Sequence, residues 1–141
     1  IHYSVLRELF GYARKKFCNM KALWTILLLV TSNVFMTFAW YGHLKFKDMR
    51  GGDAVPLMVV VLISWGVAFF EYCFQVPANR IGFIGNGGPF TLFQLKIIQE
   101  VVSLLVFTVF ALLVFRTENL RLNHLWSFLC ILGAVYFAFK K

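Results

Sequence analysis

The sequence predicts an all-α integral membrane protein, a four-transmembrane-helix bundle preceded by a basic amphipathic helix. Three observations carry that expectation. Of the 141 residues, 60% are hydrophobic and only 14% charged, where a soluble domain carries about 25% charged. The apolar residues collect into four long runs almost free of charge, each near the roughly 20 helical residues needed to cross a hydrocarbon core about 30 Å thick. These runs are apolar on every side and about twice the roughly 9–11 residues of a membrane strand, so helices are expected, not the strands of a barrel.

The chain opens on Ile1 without an initiator methionine, which fits a processed or partly ordered form. The first hydrophobic run starts only at Ala22, so no cleavable signal sequence is legible before it. Residues 1–21 form a separate unit, IHYSVLRELFGYARKKFCNMK. Val5, Leu6, Leu9, Phe10, Ala13 and Phe17 recur there at helical spacing, while Arg7, Arg14 and Lys15 fall largely elsewhere. That pattern describes a basic amphipathic helix lying on a membrane surface. Two alternatives stand beside it: a leader that merely extends the first span, and an arm that docks on a partner protein.

Residues 22–141 form the four-helix domain. The first span covers about Ala22 to Leu44 and holds ALWTILLLVTSNVFMTFAWYG without a charge. The second covers about Pro56 to Val76; a proline suits a helix start, where its missing N–H is not needed, and Pro77 is expected to end the span. The third covers about Leu92 to Phe115 and the fourth about Leu122 to Phe139. Two short connections, 45–55 and 116–121, share one end of the bundle. The glycine-rich connection 77–91 closes the other.

The net charge of +8, from 14 basic and 6 acidic side chains, would point to nucleic acid in a soluble protein. Here the basic groups flank hydrophobic runs, which fits topology and contact with anionic lipid headgroups, so the lipid bilayer is the expected partner and nucleic acid is not. Arg7, Arg14, Lys15, Lys16, Lys21, Arg80, Lys96, Lys140 and Lys141 fall on one side, against Lys45, Lys47, Arg50, Arg116 and Arg121 on the other. Nine against five places both termini in the cytoplasm, or in the matrix or stroma behind an organellar inner membrane. Trp24, Trp40, Tyr41, Trp126 and Tyr136 lie near helix ends, as interfacial aromatics do.

Cys18, Cys73 and Cys130 are odd in number and lack C-x-x-C spacing, so they read as small apolar residues. His2, His43 and His124 are scattered and make a poor metal site. No nucleophile, base and orienting group stand at a diagnostic spacing. Neither an enzyme nor a cofactor is expected. The run GFIGNGGPF at 82–90 lacks the Lys-Ser/Thr and the preceding strand of a phosphate loop and reads as a flexible connection.

The informative residues are the ionisable ones inside the spans, where a charge at mid-helix costs about 2.5–3.5 kcal/mol on insertion scales. Glu71 lies about 22 Å along the second helix at ~1.5 Å per residue. Lys96 and Glu100 occupy the first turns of the third, and Arg80 lies between the two helices. Gln75, Asn79, Gln94 and Gln99 are near. Glu71 with Gln75, and Lys96 with Glu100, are four apart and share helix faces. One arrangement pairs Glu71 with Lys96 and Glu100 with Arg80. Read functionally, this is a polar site for a solute or a proton, with Glu71 or Glu100 titrating, because a partly dehydrated carboxyl can exchange protons near neutral pH. Read structurally, it is an ion-pair cluster holding two helices in register. Thr31, Ser32, Asn33 and Thr37 in the first helix either line a solute path or bond between helices, and Gly66 and Gly133 allow close helix approach.

Four stretches go beyond composition: SNVFMTFAWYGHLKFK at 32–47, SWGVAFFEYCFQVPANRIG at 64–82, QLKIIQEVVSLLVFTVFALL at 94–113 and LWSFLCILGAVYFAFK at 125–140. They resemble a small four-helix bacterial membrane family of uncharacterised function within the drug/metabolite transporter superfamily, over about residues 22–140. That superfamily is similar to the small multidrug resistance exporters, which pair as dimers and exchange solute for protons. Those exporters use a carboxylate in their first helix, and this chain has none between Lys21 and Lys45, so their coupling mechanism does not carry over residue by residue. The family's recurrent polar positions match Glu71, Gln75, Asn79, Arg80, Lys96, Gln99 and Glu100. The arm at 1–20 lies outside the resemblance and suggests a eukaryotic, organellar descendant. The resemblance implies a transporter-like protein moving a small solute, proton-coupled and homo-oligomeric. The competing expectation is a non-transporting accessory subunit of a large respiratory or photosynthetic membrane complex.

Overall fold

The structure, a computed structural model, describes residues 2–49, 55–116 and 119–140. Helix α1 runs from His2 to Met49 and α2 from Leu57 to Gly82. Helix α3 runs from Leu92 to Phe110 and passes into a π-helical turn, Ala111–Phe115. Helix α4 covers Leu122–Phe139. All four are long and apolar enough to cross a membrane. Arg50 and Lys141, counted above for orientation, lie outside the described residues, as do 51–54 and 117–118 of the two connections.

Two boundaries differ from expectation. The arm is not a separate helix: it forms the first turns of α1, whose 48 residues make a rod about 72 Å long. No Gly or Pro stands between Tyr12 and Tyr41, so the chain offers no place where helix breaks cheaply. Residues 3–17 are exposed throughout. Helix α2, in turn, does not stop at Pro77 but continues to Gly82. A proline inside a helix leaves one carbonyl four residues back without its donor. Burial of Ala78 and Gly82 against the neighbouring helices holds the last turn in place.

Helix α1 is the hub, packing along α2 and against α3. Leu29 of α1, Ala78 of α2 and Val102 of α3 meet at its centre, with Leu28, Ile98 and Val106 around them. Helix α4 contributes no buried residue and packs on α3, so a three-helix core carries a peripheral fourth helix. The accessible surface is 11208 Å², half as much again as the roughly 7,500 Å² expected of a soluble monomer of this mass. The excess is apolar side chain on the outside, the surface that lipid covers.

Glycine sets the closest approach. A Cβ on Gly82 would stand 2.7 Å from Thr25 Cγ2 and 2.9 Å from Leu95 Cδ2, and one on Gly88 would stand 2.4 Å from the Gly82 backbone. The connection folds back tightly here: Ile84 N–H donates to Phe90 O at 2.7 Å and Phe90 N–H to Gly82 O at 2.9 Å. Lys21 of α1 closes the turn by donating to Gly87 O at 3.1 Å. The segment expected to be flexible is therefore a latched turn, and Thr91 with Gln94 then caps α3 by reciprocal hydrogen bonds of 3.3 and 3.0 Å.

Gly82→Val should destabilise the bundle by about 1–3 kcal/mol, because overpacking there exceeds the gain in helix propensity of up to ~1 kcal/mol. Gly66→Ala, which meets open space, should keep or raise the melting temperature. Thermal unfolding in detergent checks both.

Candidate functional site

The interior is unusually polar. Glycine aside, buried side chains divide evenly, with Thr25, Ser32, Asn33, Thr37, Glu71 and Gln75 against six apolar residues. Most of the α1 hydroxyls and amides satisfy themselves locally: Asn33 donates to Leu29 O at 2.8 Å, Thr37 to Asn33 O at 2.7 Å and Thr25 to Lys21 O at 2.8 Å. Such back-bonding to the preceding turn is what these residues do when no cross-helix partner is present. Ser32 differs, because it reaches across to α2.

Its Oγ lies 3.0 Å from Glu71 Oε1 and 2.7 Å from Gln75 Oε1. Ser32 is 0% exposed, Glu71 2% and Gln75 7%. Glu71, Gln75, Ala78 and Gly82 recur at steps of four, three and four, which puts them on one face of α2. Thr25, Leu29 and Ser32 do the same on α1. Fourteen residues separate Leu57 from Glu71 and eleven separate Glu71 from Gly82. Because α2 runs past Pro77, Glu71 lies near the middle of its helix.

A hydroxyl has one proton to give and two lone pairs to receive with. Ser32 therefore donates to one neighbour and must accept from the other. Two arrangements satisfy all three residues. In one, Glu71 carries a proton and donates it to Ser32, which donates to the Gln75 carbonyl. In the other, the Glu71 carboxylate accepts from Ser32, and Gln75 turns its amide so that the NH₂ group donates to the hydroxyl. The two differ by one proton on Glu71. Its second oxygen, Oε2, is buried and has no hydrogen-bond partner among the described residues. That oxygen is open to a proton or to an N–H or O–H of a solute. Next to Glu71 and Gln75 in the sequence of α2, Phe70 and Phe74 stack on Phe35 of α1 at 6.1 and 5.5 Å.

The other expected site residues do not join it. Lys96 pairs with Glu100 on its own helix at 2.6 Å, with side chains 67% and 64% exposed. The anticipated pairs, Glu71 with Lys96 and Glu100 with Arg80, are therefore not formed. Four residues along one helix face are simply closer than any partner on α2. Arg80 is exposed, Asn79 and Gln99 are half-buried, and Gln94 is used by the α3 cap. Of the seven anticipated residues, Glu71 and Gln75 form the buried site. Ser32, noted in the sequence only as one of several polar residues, is its third member. The signal that could have found it is the matched stripe of small and polar residues on α1 and α2.

Among known families, a model described as "Putative member of DMT superfamily (DUF486)" matches residues 25–139. No curated protein and no solved structure matches the chain.

Ser32→Ala should cost about 1–3 kcal/mol, because it leaves buried polar groups of Glu71 and Gln75 without their Ser32 partner. Lys96→Ala should change stability by no more than about 0.5 kcal/mol, as expected for an exposed pair within one helix. Unfolding by titrated denaturing detergent separates the two.

Proposed function

The chain belongs to that family, DUF486 of the drug/metabolite transporter superfamily, and we propose that it moves a small solute across a membrane in exchange for protons. The carrying observation is the Glu71 carboxyl, enclosed in the bundle with Ser32 on one oxygen and no partner among the described residues on the other. In this reading Glu71 holds the proton. Ser32 and Gln75 reorganise their hydrogen bonds as it arrives and leaves, so that the proton and a solute donor compete for the same oxygen. Competition for one group is the simplest way to couple two ligands, because neither can bind while the other is present. Lys96, Glu100 and Arg80 take no proton across in this scheme; they hold one end of the bundle near the headgroups.

An accessory subunit of a large membrane complex is the second reading. It draws on the first turns of α1, whose apolar and basic residues are exposed. Both readings place the protein in a bilayer and differ in what purified protein does.

Reconstituted into vesicles holding a pH dye, the wild-type chain should change luminal pH when a panel of small organic cations, anions and zwitterions is applied outside. Glu71→Gln should abolish that response while leaving the helical content intact, and Glu100→Gln should keep most of it. A silent wild type that migrates with a much larger complex on native gels would favour the second reading.

A further inference from the structure

About 13 Å along α1 from Ser32, taking nine residues at ~1.5 Å each, Tyr41 lies beside the handover from α3 to α4. Packing there leaves a cleft of about 340 Å³ bounded by three helices. Its walls are apolar, with Leu104, Phe107 and Phe128 among them, while Asn119, His124 and Ser127 line it at the start of α4. His124 and Ser127 fall in the first two turns of α4, roughly 3 and 8 Å in from Leu122. The polar residues therefore sit at the end of a candidate span, with apolar walls running inward along it.

Hydrogen bonding shows which polar groups are free. Ser127 donates to Asn123 O at 3.0 Å and Thr108, also in the wall, donates to Leu104 O at 2.8 Å. Both hydroxyl protons are thus used within their own helices. The backbone N–H of Arg121 donates to His124 Nδ1 at 3.0 Å. A nitrogen that accepts carries no proton, so the ring proton is on Nε2. That Nε2–H and the Asn119 amide have no protein partner among the described residues. A site with donors at its polar end calls for a ligand with acceptors at its own.

The backbone around the cleft is irregular as well. Helix α3 ends there in the π-turn Ala111–Phe115, and Arg116 follows in the left-handed region at φ 49°. Wide π-turns gather at functional sites, and a non-glycine residue in that region stores strain which the surroundings must hold. Ala111 and Phe115 both line the cleft.

We propose that this cleft binds one membrane amphiphile, an acyl chain lying between the walls with its ester, carboxylate or phosphate oxygens taken by His124 Nε2–H and the Asn119 amide. Here three helices enclose the chain, and unpaired donors stand at the polar end of the cleft. Neither the solute nor the proton site is involved, since Glu71 belongs to a different part of the bundle.

The test is native mass measurement of the full chain in dodecyl maltoside with phosphatidylglycerol or, separately, palmitate added. One bound amphiphile per chain is expected for at least one probe, and which one distinguishes a phospholipid from a free acid. His124→Phe should weaken its retention about tenfold, the worth of a hydrogen bond of about 1.4 kcal/mol. Ala111→Phe, which fills the cleft, should abolish retention, and Leu62→Trp on the outer face of α2 should leave it unchanged. No adduct with either probe, or equal retention in wild type, His124→Phe and Ala111→Phe, would overturn the proposal.

Discussion

The organising constraint is one carboxyl group enclosed near the middle of a membrane helix. Inserting an ionisable side chain at that depth costs about 2.5–3.5 kcal/mol, whereas a hydrogen bond between membrane helices returns on average about 0.6 kcal/mol. Ser32 alone therefore does not offset the presence of Glu71. The bundle carries the group at a loss of stability, which is the physical reason to assign it work in function. The surrounding packing follows from holding it away from lipid. Helices α1 and α2 must lie close over several turns, and this requires small residues at the contact: Ser32, Ala78 and, where three elements converge, Gly82.

The four spans were legible because length and apolarity are enough to specify a membrane helix, and α4 occupies the residues expected of it. The boundaries that shifted are those where a local rule met tertiary packing. Pro77 forfeits one hydrogen bond, and the buried face of the last α2 turn keeps the helix intact regardless. The arm read as a separate unit because its charge pattern differs from the span, but nothing in residues 12–41 breaks a helix. The candidate site was half legible. Depth and cost singled out Glu71 and Gln75, but residue spacing does not say which neighbouring helix a side chain faces. Lys96 and Glu100 were expected to reach across helices and instead satisfy each other. Ser32 was hidden among three polar neighbours, Thr31, Asn33 and Thr37, whose separate fates depend on which face of α1 meets α2.

The two ends of the bundle are built differently. At one, the turn after α2 is fixed by Lys21, by the approach of Gly88 to Gly82 and by the Thr91 cap. At the other, α3 unwinds through a π-turn, α4 packs without a buried residue and a cleft remains. A firm end and a loose end thus lie on either side of the central carboxyl, and α4 is held only at its margin.

The contact between Ser32 and Glu71 is tested most directly by a double-mutant cycle. Stability is measured for the wild type, Ser32→Ala, Glu71→Ala and the double variant in one detergent. With the hydrogen bond formed across α1 and α2, the two single changes in stability should fall short of or exceed additivity by at least ~0.5 kcal/mol. Changes that simply add would mean that the two side chains do not meet, and the buried site described here would not exist.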